Sequence, residues 1–209
     1  MDETITFSGW EAIEDNTLST NEELKSGHTY TMYHGTYLKL ANTIISKGFQ
    51  PSKDGLLGAG VYVSRNIDKA KCYPLKIDVK DKVVFKLKVR AGKVKKIDSD
   101  NHPMQKTWHQ NGYDCAWVPP RSNLTAIKSG REEDCVWDPK RITVVGVACC
   151  VDDGKRKELR KLIHRMNGTD DVCSRCNQSK RGGRRHDTQL CWNCPEMICP
   201  FQSKHECKP

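Results

Sequence analysis

Thr29-Tyr30-Thr31-Met32-Tyr33-His34-Gly35-Thr36 opens the segment on which the fold turns. β-Branched and aromatic residues run as far as Tyr33, and His34-Gly35-Thr36 reads as a strand-to-turn break. A helix is expected over residues 38–47, because Leu38, Ala41, Ile44 and Ile45 fall on one face and Gly48 supplies a stop. Asp54-Gly55-Leu56-Leu57-Gly58-Ala59-Gly60 then forms a flexible turn. It feeds a short strand, Val61-Tyr62-Val63-Ser64, and a second helix from Asn66 to Cys72.

Outward from that segment, residues 83–97 alternate apolar and charged side chains and are interrupted by Ala91-Gly92, as expected of two strands each with one face buried, in a hairpin or a bent strand. Asp98 to Arg131 has Trp108, Tyr113 and Trp117 without a clear period and reads as a long ordered loop region. Cys135-Val136-Trp137 and Arg141 to Val151 give further strand signal. Short strands with two early helices indicate an α+β fold of mixed or antiparallel sheets with few helices. Lys155 to Met166 reads as a basic helix ended by Asn167-Gly168. The expected organisation is an N-terminal extension over 1–28 that packs loosely, a main α+β domain over 29–153, a basic helical linker over 154–168 and a small Cys/His domain over 169–209.

Composition sets outer limits. The chain has 209 residues, 36% of them hydrophobic and five of them Trp, which can supply a core, while 29% are charged. Mean hydropathy is −0.71, against a membrane span. Met1 to Asn16 has acidic residues and no basic one, unlike a secretory signal, so the expected location is cytoplasm or nucleus. In a reducing interior the eleven cysteines point to metal before disulfides. Six of them fall between Cys173 and Cys207. Charge divides in the same region: residues 155–209 contain 13 Lys and Arg against 6 Asp and Glu, and residues 1–154 contain 22 against 20.

Order and spacing carry more than any single motif. Tyr33-His34-Gly35-Thr36, then Gly60-Val61-Tyr62, then Tyr73 eleven residues after Tyr62, then Glu133-Asp134-Cys135-Val136-Trp137-Asp138 resemble the PARP-type ADP-ribosyltransferases over roughly residues 29–151. The resemblance implies NAD as substrate, with His34, Tyr62 and Glu133 as the triad. His34 would donate to the adenine-side ribose, the Gly35 backbone would hold the nicotinamide carboxamide, and Thr36 would belong to the same pocket. Tyr73 would stack on the nicotinamide and Tyr62 would line the pocket beside it. Glu133 would bind the ribose 2′-hydroxyl and stabilise the oxocarbenium charge as nicotinamide leaves; Glu132 is one residue away. Ala70 departs from the family, many members of which carry a serine there that also binds the carboxamide.

The tail reads Cys173-x2-Cys176, Cys191-x2-Cys194, Cys199, His205 and Cys207. Paired Cys-x2-Cys knuckles are zinc ligands by type and spacing. The two knuckles can make one four-cysteine site; with His186 there are eight candidates, enough for two sites with interleaved ligands, which is the preferred expectation. The spacing resembles the cysteine-rich C-terminal domain of piggyBac-type transposases, which implies two zincs and DNA binding. Arg175, Lys180, Arg181, Arg184 and Arg185 would supply contacts to DNA or RNA phosphates. Two functions compete: a transferase, of single units by preference, acting on protein or nucleic acid, and a catalytically weak PARP-like module that recruits nucleic acid or protein.

Overall fold

A computed structural model describes residues 18–122, 124–127, 130–167, 188–191, 194, 197–201 and 205. It divides into two compact units, one spanning Ser8–Ile163 and the other holding the C-terminal residues from His164. In chain order the larger unit contains β1 (Thr29–Tyr37), a 3-10 turn at Leu38–Leu40, α1 (Ala41–Lys47), β2 (Val61–Val63), α2 (Ile67–Cys72), β3 (Lys82–Arg90), β4 (Val94–Lys96), β5 (Cys115–Val118), β6 (Glu133–Val136) and β7 (Ile142–Cys149). α3 (Asp153–Met166) follows, and the tail has β8 (Gln189–Leu190) paired with β9 (Met197–Ile198).

Two sheets organise the larger unit, one of order β1-β3-β7 and one of order β2-β6-β5-β4. The first is antiparallel throughout; in the second only the β4–β5 pairing is parallel. β3 shows why the first sheet folds as it does: Val83, Phe85, Leu87 and Val89 are sealed from water while Lys86, Lys88 and Arg90 take the other face. Tyr30 and Met32 of β1, Ala41 and Ile44 of α1, and Leu159 and Ile163 of α3 share the same apolar cluster. A second cluster gathers Leu57, Ile97, Trp108, Ala116, Val118 and Leu124 around Cys135 of β6.

Several expectations change here. β1 does not break at His34-Gly35-Thr36, because all nine of its residues pair with β3, down to Tyr37 opposite Lys82. Residues 83–97 are not a hairpin: Gly92, at a φ of 62°, redirects the chain, and β4 leaves for the other sheet to pair with β5. Asp98 to Arg131 is not wholly loop, since it holds a 3-10 turn at Trp108–Asn111 and β5, whose four residues are all buried. A strand covered on both faces shows no alternation, which removes the periodic signal. The first 28 residues do not all pack loosely: Leu24 is 3% exposed and joins the core. α3 is held to the larger unit by Leu159 and Ile163 and starts from Asp152, whose carboxylate accepts the Lys155 amide at 2.9 Å. Among the described residues no helix is long and apolar enough to cross a membrane.

Candidate active site

β1 and β2 meet at one point. The Tyr33 amide donates to the Ser64 carbonyl at 2.7 Å and the Ser64 amide returns the bond at 3.0 Å. Across from β2, the antiparallel register sets Tyr62 against Cys135 and Val63 against Asp134, which brings Glu133 level with Ser64. The result is a cleft of about 500 Å³, part of it open to solvent, lined by Tyr33, His34, Gly35, Tyr62, Lys69, Ala70, Tyr73 and Glu133 among others.

Of the positions expected around the cofactor, His34, Gly35, Tyr62, Ala70 and Tyr73 converge with Glu133. Thr36 does not. It shares the inward face of β1 with His34, lies opposite Val83 and is buried two residues beyond His34, outside the cleft lining. The reason is the unbroken strand: each step of two along β1 moves about 7 Å.

His34 is held from behind. Its Nδ1 lies 2.7 Å from the Tyr62 carbonyl, which can only accept, so Nδ1 carries the proton and donates it. Burial lowers the imidazole's pKa, and the neutral ring then turns Nε2 into an acceptor. The expected donor role for His34 reverses: Nε2 would receive a ribose hydroxyl's hydrogen bond. The ring also meets Phe49 edge-on, with centroids 5.0 Å apart.

Tyr62 ties the glycine turn to the cleft. Its hydroxyl accepts the Leu57 amide at 2.9 Å and donates to the Gly58 carbonyl at 2.7 Å. Burial raises its pKa, so the phenol stays neutral. The turn passes so close that a Cβ on Gly55 would stand 2.3 Å from the Tyr62 hydroxyl. Gly35 is constrained in the same way, since a Cβ there would lie 2.0 Å from the Ala70 carbonyl oxygen. A side chain at Gly35 would push the end of α2 away, and with it Tyr73.

The acidic run Glu132-Glu133-Asp134 is sorted by strand alternation. Glu133 faces the cleft, and its Oε2 receives the Lys69 ammonium at 2.7 Å. Glu132 points the other way and is 1% exposed. Its Oε1 accepts the Arg65 amide at 2.6 Å and the Ser64 hydroxyl at 3.1 Å, while Oε2 accepts Arg65 Nε at 2.9 Å. Arg65 continues to the Ser19 carbonyl at 2.8 Å and the Glu22 carbonyl at 2.9 Å, clasping residues 19–22 onto the domain.

Lys69 is the residue that sequence reading missed. It is buried, and besides Glu133 it donates to the Glu132 carbonyl at 2.6 Å. Asn66 places it, because the Asn66 side chain caps α2 by accepting the Lys69 amide at 3.0 Å. Nothing in Ile67-Asp68-Lys69-Ala70-Lys71-Cys72 distinguishes Lys69 from Lys71. Packing does: Lys71 pairs with Asp68 in solvent, while Lys69 turns toward β6.

The tail has a separate cluster. Ligand atoms of Cys191, Cys194 and His205 all lie within 4.8 Å of one another, and Cys194 Sγ is 3.4 Å from His205 Nε2. A zinc-bound thiolate and imidazole stand about 3.6 Å apart in a tetrahedron built from ordinary bond lengths, so the donor set fits. Cys199 is buried in the same unit but is not one of the three. Cys173, Cys176, His186 and Cys207, like the basic residues Arg175, Lys180, Arg181, Arg184 and Arg185, lie outside the described residues.

Residues 6–144, which contain every residue of the cleft, match the family model of the Poly(ADP-ribose) polymerase catalytic domain. No curated protein matches the chain.

Proposed function

This chain belongs to the Poly(ADP-ribose) polymerase catalytic domain family, and on that premise we propose that it cleaves NAD and transfers single ADP-ribose units to a protein or nucleic-acid acceptor. The observation that carries the reading is the placement of one carboxylate, Glu133, in the same cleft as His34, Tyr62 and Tyr73.

His34 Nε2 and the Gly35 backbone would seat the two ends of NAD, and the Tyr73 and Tyr62 rings would flank the nicotinamide. Ala70 is buried and has no hydroxyl to offer the carboxamide. The C1′–N bond to nicotinamide breaks with its electron pair leaving on nicotinamide, and C1′ becomes cationic. Glu133 would accept the 2′-hydroxyl's hydrogen bond and stabilise that charge. The acceptor's oxygen or nitrogen bonds to C1′ and gives up its proton to Glu133 or water. Lys69 would act as a positioning residue, fixing the Glu133 carboxylate by its ammonium at 2.7 Å.

In the tail, Cys191, Cys194 and His205 would hold a zinc that folds a segment too short to bury its own core. Cys173, Cys176, His186, Cys199 and Cys207 would supply further ligands, to a total of two zincs. The likeness to the piggyBac-type cysteine-rich domain and the basic run Arg175 to Arg185 support acceptor recognition by this tail. Thiolate ligands would keep best in a reducing compartment, which favours cytoplasm or nucleus as the location.

The test is full-chain protein incubated with labelled NAD alone, or with DNA, RNA or protein, beside Glu133→Ala. We expect nicotinamide release from the wild type and its loss in the variant. Absence of both release and label transfer in the wild type, with NAD still bound, would establish the weak binding module instead. Mass spectrometry of the native protein should count two zincs.

A further inference from the structure

Glu133 is the first residue of β6. On one side it pairs with Val118 of β5, but β2 ends at Val63 opposite Asp134, and Ser64 pairs with Tyr33 instead. Strand ends are where a sheet frays, because fewer neighbours hold them. A carboxylate that must keep its place against a substrate within a fraction of an ångström therefore stands at the least supported position of its strand.

Support comes from the residue before it. The Glu132 carboxylate is buried, and both its oxygens are taken by Ser64 and Arg65. Its backbone carbonyl accepts the Lys69 ammonium that also holds Glu133. Arg65 reaches further. Its Nη1 donates to the Ser19 carbonyl at 2.8 Å, and its Nη2 to the Glu22 carbonyl at 2.9 Å and the Thr20 carbonyl at 3.4 Å. Those carbonyls converge because residues 19–22 form a closed turn: the Glu22 amide donates to the Ser19 carbonyl at 3.0 Å, and the Ser19 amide to the Glu22 carboxylate at 2.9 Å. Leu18 and Leu24, on either side of the turn, pack against the core and fix it there. A planar guanidinium with five donors can face a carboxylate and a turn at once, which a single ammonium cannot.

We infer that the turn at residues 19–22 serves catalysis and that Arg65 is a positioning residue. By clamping Glu132 to that turn, Arg65 keeps the first residue of β6, and with it the Glu133 carboxylate, in the cleft. This rests on the transferase reading and adds to its machinery a segment that does not line the cleft.

Two full-chain variants separate positioning from stability. Arg65→Lys keeps a cation beside Glu132 and gives up the contacts to the turn. Glu132→Met/Arg65→Met removes both buried charges together and so leaves neither uncompensated. In each, well below the melting temperature, nicotinamide release at saturating NAD should fall about tenfold while the KM for NAD stays within about twofold, as for one lost hydrogen bond to a charged group that does not touch substrate. Hydrogen exchange followed by mass spectrometry should rise over residues 132–136 in both variants and stay unchanged in β1 and β3. An unchanged kcat, or an unchanged exchange, in the double variant would overturn the inference and make the pair a source of stability only. A change confined to KM would also overturn it and make Arg65 a substrate-binding residue. If the wild type releases no nicotinamide, the transferase reading fails, and exchange alone decides whether the turn holds Glu133.

Discussion

On the cleft side of β6, Glu133 keeps 16% of its side chain in contact with solvent and has Lys69 at 2.7 Å. On the other side of the same chain segment, Glu132 and Asp134 are each 1% exposed. Three consecutive acids thus divide into one that faces a site and two that are buried behind it. The division comes from the two-residue period of extended chain, so a slip of one residue would exchange the roles completely. Glu132 satisfies its burial with Arg65, Ser64 and a backbone amide. Glu133 has only Lys69 as an ion-pair partner among the described residues, which leaves carboxylate capacity for a substrate hydroxyl.

The largest effect should therefore come from the back of the strand. Glu132→Ala leaves the Arg65 guanidinium buried without its carboxylate, a loss of about 3–5 kcal/mol of stability. Urea unfolding measures it, and Glu132→Met/Arg65→Met should recover much of the difference because removing both charges removes the desolvation cost. A loss below about 1 kcal/mol in the single variant would mean that Glu132 is not the structural partner. Glu133→Gln comes next and acts on chemistry. Nicotinamide release should fall about 100- to 1000-fold while the unfolding midpoint stays close to the wild type's. A variant that loses stability and keeps its rate would reverse the assignment of the two glutamates.

Much of this comparison was visible in the sequence, and its limits have physical causes. His34, Tyr62, Tyr73 and Glu133 could be named because each sits at a motif with fixed spacing, and the first and last strands of the larger unit, β1 and β7, announce themselves by runs of β-prone residues. Thr36 stands outside the cleft lining because a strand end is set by pairing partners: nine β3 residues extend β1 to Tyr37. β5 was missed because Cys115-Ala116-Trp117-Val118 is buried on both faces and so lacks the period that marks half-buried strands. Lys69 was invisible for a different reason. Its role depends on which way a six-residue helix is rotated against β6, and a helix that short has too few apolar positions to declare its face.

Lys69→Met sharpens the cleft half of the comparison. It removes a charge-assisted hydrogen bond that orients Glu133 without touching the Glu132–Arg65 pair, so release should fall about tenfold, within the range for hydrogen bonds to charged groups. If Lys69 acts only by positioning, the fall should appear in kcat at saturating NAD, and Lys69→Arg should restore part of it. A variant with a raised KM and unchanged kcat would make Lys69 a substrate-binding residue instead.

The smallest effect belongs to Asp134. Among the described residues no donor reaches either buried carboxyl oxygen, and the side-chain neighbour is another acid, Glu132. Burial raises the pKa well above its ordinary value, the Glu132 carboxylate raises it further, and Arg65 and Lys69 oppose the shift only in part. The folded protein therefore holds a proton on Asp134 that the unfolded chain releases near a pH of about 4. The folded state binds more protons, so this contribution is fully present below the unfolded pKa and is lost as pH rises through the folded one. Asp134→Asn keeps the shape of the protonated acid and cannot titrate. Its melting temperature should match the wild type's near pH 4 and exceed it by a margin that grows as pH rises toward 8. Melting curves across that interval decide it: a difference independent of pH would show that Asp134 does not change its protonation on folding, and that Glu132 alone carries the buried charge behind the cleft.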